Sequence, residues 1–538
     1  MKILTAAEMR EVDRLTTEQY GVPGVLLMEN AAARTAEVIE KKFGPVSSKR
    51  ALIICGKGNN GGDGAAIARL IHTKGAAVDA LLLGRADDAR GDARTNFEIA
   101  RRLAVASAQF RFVEIENPDQ LRREAAVITH DILIDAIFGT GLARPAAGLF
   151  EEAIRLINQL RDEMPVVAVD IPSGVASDSQ ELIGPAVRAH QTVTFTAPKI
   201  ANVLPPACDS SGDMVVMPIG SPDELINSSG SQLNLVCSSD VRAWLDASRR
   251  SAHANKGNAG KALIVAGSRG KTGAACLAGE GAMRAGAGLV TVATAESSEP
   301  VVASRLILEC MTEPLAETAS GAVAREAAEP ALELAAERDV VAIGPGLGSA
   351  EESTRAFVRA LTDGRQRPMI IDADGLNSLV PWDENLRGSH ELPIILTPHP
   401  GEMARLTGKS IPDIVRNRVE VAREFATAHS LIVVLKGSRT LIAAPDSEVY
   451  VNPTGNAGMA TGGTGDVLTG IIAGLLAQKT DEPLAATIAA VYLHGLAGDI
   501  AANRLGTRAM IASDIVAHLG EAIIETGGDA ERFTRHQL

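Results

Sequence analysis

The segment Asn456-Ala-Gly-Met-Ala-Thr-Gly-Gly-Thr-Gly-Asp466 carries the strongest chemical signal in the chain. Gly462, Gly463 and Gly465 let backbone N–H groups converge on an anion at the start of a helix. Asp466 stands where a carboxylate can take a proton from a hydroxyl beside that anion. A glycine-lined anion hole with a carboxylate at its rim suits chemistry on a phosphate, or on a hydroxyl about to receive one. Read alone, the same pattern is a glycine-rich turn with Asp466 as a helix N-cap.

Other segments repeat this logic. Gly56-Lys-Gly-Asn-Asn-Gly-Gly-Asp-Gly64 follows a strand and opens a helix, and formally contains G-x-G-x-x-G. Asp79 lies roughly 20 residues on, where a ribose-binding acid is expected. Asn59, Asn60 and Asp63 crowd a simple pyrophosphate loop and suit a larger polar ligand or a cation. Asp135-Ala-Ile-Phe-Gly-Thr-Gly-Leu-Ala-Arg-Pro145 and Asp170-Ile-Pro-Ser-Gly174 end two further strands. Asn60, Asp135 and Ser173 are hard oxygen donors that together can hold a cation. Separately, each also reads as a cap or turn residue.

Later in the chain, Gly344-Pro-Gly-Leu-Gly348, Asp372-Ala-Asp-Gly-Leu-Asn377, Thr397-Pro-His-Pro-Gly-Glu402 and Lys436-Gly-Ser-Arg-Thr440 follow strand-like runs. His399 is fixed between two prolines on such a loop, which favours ligand contact over a structural histidine. Lys436 is placed to meet a nucleotide phosphate. Gly267-Ser-Arg-Gly-Lys-Thr272 resembles a phosphate loop, but Val265 occupies the position of its first glycine.

Elements that position these residues are legible from periodicity. Residues 1–45 read as helical, with a break at Gly21-Val-Pro-Gly24. Short apolar strands at 51–55, 78–83, 132–134 and 166–169 alternate with helices. The alternation resumes at 262–266, 289–293, 340–343, 369–371, 394–396 and 431–435. Helical segments begin near Asp466, Leu484 and Ser513. Such alternation predicts parallel sheets with helices on both faces, and ligands at the strand carboxyl ends. The turn-rich stretch Ser221 to Gln232 divides the chain. The expected organisation is α/β in two domains: a Rossmann-like three-layer α/β/α sandwich at 1–222, a linker at 223–234, and a second α/β domain at 235–530.

Composition narrows the function classes. A net charge of -14 argues against nucleic-acid binding. Five scattered cysteines form no C-x-x-C, so neither a zinc site nor a disulfide framework is expected. That, with charges where a signal peptide needs an apolar core, points to the cytoplasm. No apolar run approaching the roughly 20 residues of a membrane span is recognised, Ile471 to Ala477 being the nearest. A homo-oligomer is expected for an α/β enzyme of this size.

Two resemblances join these observations. The segments Leu4 to Arg10, Gly24 to Ala31, Asn59 to Gly64, Asp135 to Pro145 and Asp170 to Gly174 together resemble the NAD(P)H-hydrate epimerase domain. This resemblance implies contacts to a damaged nicotinamide cofactor from Asn59, Asn60, Gly61, Gly62 and Asp63, from Gly139, Thr140, Gly141, Leu142, Ala143, Arg144 and Pro145, and from Asp170. It implies potassium at Asn60, Asp135 and Ser173. Asp170 is the candidate acid/base for inversion at C6 of the hydrated ring, with Lys199 a second participant or a surface lysine.

Residues 240–525 resemble the ribokinase-like fold, and within it the ADP- or ATP-dependent NAD(P)H-hydrate dehydratase. This resemblance implies substrate contacts from Ala274 or Ala275, Gly346, His399 and Asp466. It implies nucleotide contacts from Lys436, Gly437, Ser438, Arg439, Thr440 and Gly465, with Mg2+ accompanying ADP or ATP. The expected activities are those of an isomerase and a lyase. The first would interconvert R and S forms of NADHX and NADPHX; the second would dehydrate the S form, with Asp466 as base. A vitamin-precursor kinase of the same fold is the alternative that the Gly-Thr-Gly-Asp motif alone does not exclude. A binding protein on an inactive epimerase fold predicts lost polar site residues, whereas Asn59, Asn60, Asp63, Asp135, Asp170 and Asp466 are all present.

Overall fold

Apolar runs too continuous to have a solvent face must be covered on both sides, and the strands of this chain are. In the computed structural model, residues 1–126, 129–250, 253 and 255–527 are described. They separate into the units Met1–Leu233 and Asn234–Leu538.

The first unit holds β1 (Arg50–Cys55), β2 (Ala77–Leu83), β3 (Phe110–Ile115), β4 (Ile132–Ala136), β5 (Val166–Val169), β6 (Gln191–Phe195) and β7 (Asp213–Met217). They form one parallel sheet in the order β3-β2-β1-β4-β5-β6-β7. Ala51, Ile53 and Cys55 pack with helices Gly24–Phe43 and Asn59–Thr73 on one face. Leu52 and Ile54 pack with helices Pro118–Ala126 and Leu149–Leu160 on the other. The order reverses between β1 and β4, which opens a crevice at their carboxyl ends.

Asp79 does not reach that crevice. It lies near the start of β2, fully buried, where His130 Nε2 is 2.8 Å and Arg111 Nη1 3.0 Å from its carboxylate oxygens. Burial pushes its pKa up, but His130, Arg111 and Arg50 outweigh that and leave it below the usual carboxylate range. The spacing that suggested a ribose contact reflects a buried ion-pair network.

The second sheet contains β8 (Leu233–Leu235), β9 (Lys261–Val265), β10 (Leu289–Ala295), β11 (Met311–Leu315), β12 (Val340–Ile343), β13 (Met369–Ile371), β14 (Ile394–Leu396), β15 (Ile432–Leu435), β16 (Leu441–Ala443) and β17 (Val449–Val451). Their order is β11-β10-β9-β12-β13-β14-β15-β16-β17-β8. From β11 to β15 neighbours are parallel, whereas β15, β16 and β17 are antiparallel. This departs from an all-parallel expectation, because the connections around Gly437 and Asp446 are too short for a parallel crossover.

Two further readings are corrected. The stretch 223–234 is not bare linker: Asp223–Asn227 is helical, and Leu225 is buried with Met9 and Val12. Among the described residues one helix, Pro483–Leu505, is long and apolar enough to cross a membrane, and 67% of its apolar window is buried, as in a core helix. Its alanines, with Thr487 and His494 among them, are spread around a helix packed on all sides, which disguises its length in the sequence.

Helix Thr464–Gln478 is likewise buried on every side and lies against helix Thr272–Arg284. Gly470 permits the approach, since a Cβ there would lie 2.0 Å from the Ala278 carbonyl oxygen. Gly470→Ala should therefore destabilise the second unit by about 1–3 kcal/mol. Urea titration read by far-UV circular dichroism checks this; an unchanged midpoint for that unit would refute the packing argument.

Candidate active sites

In the first unit the crevice is a cavity of about 870 Å³. Gly58, Asn59, Asn60 and Asp63 line it from the end of β1, and Ile137 to Leu142 from the end of β4. Asp170 enters from β5, and Phe195 and Lys199 from β6. The Asn-Asn-Gly-Gly-Asp segment is the opening of helix Asn59–Thr73, with Gly58 as N-cap, rather than a loop before it. Gly61 and Gly62 are buried in helix packing, and Ala143, Arg144 and Pro145 are exposed; none of these five lines the cavity.

Asp170 takes a left-handed backbone conformation (φ 66°) as the chain leaves β5. Its Oδ1 accepts from Lys199 Nζ at 2.6 Å and from Thr194 Oγ1 at 3.0 Å. Lys199 is not a surface lysine: it is 1% exposed and also donates to Thr194 Oγ1 and the Phe195 carbonyl. Asp63, facing the same cavity, is pushed well above the usual carboxylate range by burial, then by Asp170 and Asp13.

Asp135 and Ser173 do meet, while Asn60 lies beside the Gly139 turn. Ser173 donates to Asp135 through its N–H at 2.8 Å and its hydroxyl at 2.6 Å. Ser173 Oγ in turn accepts from the Phe138 N–H at 2.9 Å. Burial raises Asp135 to about 6 despite those hydrogen bonds. No basic side chain compensates it, and Asn60 Nδ2 is buried without a partner.

In the second unit the polar residues gather at the ends of β13, β14 and β15 and at the start of helix Thr464–Gln478. Gly463 (φ 94°) is the N-cap, a left-handed position that permits the turn, so Asp466 falls in the first helical turn. Buried Asp372 organises the centre. Its Oδ1 accepts from Lys436 Nζ and Thr397 Oγ1, both at 2.7 Å, and its Oδ2 from Thr469 Oγ1 at 2.8 Å. A methyl on Gly465 would lie 3.3 Å from Lys436 Nζ, so lysine and anion hole are adjacent. Burial and then Asp372 raise Asp466 to about 6, with Lys436 opposing.

His399 caps helix Pro400–Thr407, its Nδ1 accepting from the Gly401 N–H at 2.9 Å. Burial holds its pKa below the ordinary value. The Glu402 carboxylate accepts from the His399 N–H at 2.8 Å and lies 3.9 Å from Lys436. Gly346 and Ala274 are neighbours at an adjacent edge, with Lys271 bound to Asp374 beside them. Ala275 is fully buried in the core and does not face the site; Ala274 does. Gly437 to Thr440 form the β15–β16 turn, braced by Arg418 on the Ser438 carbonyl and by Arg439 on the Pro453 carbonyl.

Three positions in the candidate sites escape the sequence reading. Asp372 was visible as a strand-end acid but not separable from Asp374. His494, inside an apolar helix, accepts no attention from spacing, yet its Nε2 is 2.9 Å from the Thr464 carbonyl and holds the start of the anion hole. Burial keeps it neutral, at about 4. Asp13 sits in helix Ala6–Tyr20 and carries no motif, yet it lines the first cavity.

Residues 262–520 match the NAD(P)H-hydrate dehydratase family, and residues 25–201 match the YjeF-related protein N-terminus family. The bifunctional NAD(P)H-hydrate repair enzyme Nnr of Moorella thermoacetica is 45% identical over 521 residues, covering 96% of each chain. That of Thermofilum pendens is 40% identical over 524 residues, covering 97% of this chain and 96% of its own. A solved structure, the ADP/ATP-dependent NAD(P)H-hydrate dehydratase of Bacillus subtilis co-crystallised with ATP/Mg2+, is 34% identical. It covers 55% of this chain and 98% of its own, with a TM-score of 0.48.

Proposed function

The chain belongs to the bifunctional NAD(P)H-hydrate repair enzymes, and we propose that its two units act in succession on one damaged cofactor. The first epimerises R and S forms of NADHX and NADPHX; the second dehydrates the S form at the expense of ADP or ATP. The observation that carries the second assignment is Asp466, a half-buried carboxyl beside both Lys436 and the glycine-rich helix start.

Hydroxide is a poor leaving group and phosphate a good one. Asp466 takes the C6 hydroxyl proton as that oxygen attacks the terminal phosphorus, and the bond to the departing nucleotide breaks, giving AMP from ADP or ADP from ATP. Lys436 and the amides around Gly465 neutralise the transferring group. The C6–O bond then breaks with its electron pair leaving on phosphate, a proton leaves C5, and the C5=C6 double bond returns. Among the described residues no group of three or more His, Cys, Asp or Glu side chains is placed to hold a metal ion. Mg2+ would accompany the nucleotide and neutralise charge on its phosphates.

Potassium fits the first unit. Asp135 is a buried carboxyl without a cationic neighbour, Ser173 Oγ retains an acceptor lone pair, and Asn60 has an unpartnered amide end whose N and O are interchangeable by a flip. A bound K+ would supply the missing positive charge beside the cavity. Five free cysteines agree with a cytoplasmic setting.

The assay uses purified protein and mixed NADHX epimers, following reduced-nicotinamide absorbance with ADP, with ATP and with neither. Complete, nucleotide-dependent conversion is expected. Arrest at the S fraction would remove the epimerase assignment, and no conversion would redirect the work to kinase substrates.

A further inference from the structure

The epimerase cavity holds more carboxyl groups than one acid/base at Asp170 requires. Asp13 lies about two turns into helix Ala6–Tyr20, near Met9 and Thr17, which line the same cavity. Its Oδ1 is buried and has no hydrogen-bond partner among the described residues. Such an atom costs stability unless a ligand completes it. Asp170, which lines the same cavity, is already engaged by Lys199 and Thr194. All three Lys199 protons are committed, to Asp170, Thr194 and the Phe195 carbonyl, so Lys199 has none to spare for a ring atom.

Inversion at C6 needs two proton-handling groups. C6 carries a hydroxyl and the ring nitrogen N1, so its configuration is lost when the C6–N1 bond opens. One group must take the hydroxyl proton while another gives a proton to N1. Asp170, paired with a cation, suits the acceptor.

We propose that Asp13 is the second catalytic residue of epimerisation, the acid that protonates N1 in the cavity it shares with Asp170. This rests on the epimerase reading of the first unit. In the forward step the hydroxyl proton passes to Asp170, the O–H electron pair forms the C6=O bond, and the C6–N1 pair moves to N1, which takes the proton of Asp13. A half-turn about C5–C6 presents the other carbonyl face. The N1–H proton then returns to Asp13, the nitrogen pair attacks C6, and the oxygen recovers its proton from Asp170. Atoms and charges balance, and both residues end as they began.

The charged groups that line the cavity with Asp13 are Arg10 and Arg14 on its own helix, Lys57, Asp63, Asp92, Asp170 and Lys199; of these Lys199, Asp170 and Asp63 are electrostatically linked to it. Burial, opposed by Lys199 and reinforced by Asp170, raises Asp13 to about 6. Its acid form is therefore present below about pH 6 and lost above, so kcat/KM for epimerisation should fall tenfold per pH unit on the alkaline side of that value.

The test uses the full chain with pure R-NADHX and no nucleotide, so that only epimerisation is read, by chromatography of the two epimers. Asp13→Asn is expected to lower kcat about 100-fold or more, to change KM little, and to lose the alkaline limb. Asp13→Glu should restore part of kcat and the limb. Far-UV circular dichroism and thermal melting of the same variants report whether the first unit is folded, and dehydration of pure S-NADHX reports the second. A kcat within threefold of the parent, or a rise in KM alone, overturns the role of Asp13. Parent protein that epimerises nothing overturns the underlying epimerase reading instead.

Discussion

Asp466→Asn abolishes nucleotide-dependent dehydration, lowering kcat by about 10²–10⁴-fold, and leaves R/S epimerisation at its original rate. The substitution keeps the shape of the side chain and removes its ability to accept a proton. The environment of Asp466 explains why it is poised for this work. Burial pushes its pKa up, Asp372 adds to the rise, and Lys436 pulls it back, to about 6. A base must be ionised, so kcat/KM for dehydration should rise through pH 6 and level off above it. Dehydration of pure S-NADHX across pH 5 to 9 measures both effects. Retained activity in the variant, or a rate that falls with rising pH through that window, would show that another group takes the hydroxyl proton.

How much of this was legible follows from which forces write themselves into sequence. Buried parallel strands such as Ala51 to Cys55 and Val340 to Ile343 appear as apolar runs because both faces are covered. Strands β3 and β6 do not show in this way because Arg111, Glu114, Gln191, Thr192 and Thr194 interrupt their hydrophobicity. The interruptions have tertiary causes: Arg111 pairs with Asp79, and Thr194 bonds Asp170.

Site residues divide in the same way. Asp466, Asp170 and Asp135 follow short apolar runs or glycine turns, so strand ends announce them. Asp13, Asp372 and His494 interact with groups roughly 30 to 190 residues away in sequence, and nothing in their immediate neighbours marks them. Lys199 is intermediate. Its position was noticed, but its burial, which turns a surface charge into half of an ion pair, is a property of the folded unit.

Asp170→Asn should have the complementary effect, stopping epimerisation while dehydration of S-NADHX continues. The loss expected is again about 10²–10⁴-fold in kcat, because the amide cannot take the C6 hydroxyl proton. Truncation to alanine is the poorer probe. Lys199 is almost fully buried, and its ammonium would retain only the Thr194 hydroxyl and the Phe195 carbonyl. Breaking a buried ion pair on one side costs about 3–5 kcal/mol, enough to unfold the first unit and imitate a catalytic loss. Asparagine keeps an acceptor for Lys199 and so separates chemistry from folding. Pairing Asp170→Asn with Lys199→Met removes the buried charge altogether, and should recover thermal stability without recovering epimerisation. Mixed NADHX epimers supplied with nucleotide would then be consumed only to the S fraction, apart from slow spontaneous epimerisation. Full consumption at the parent rate by Asp170→Asn would exclude Asp170 as the proton acceptor, whatever the melting curves show.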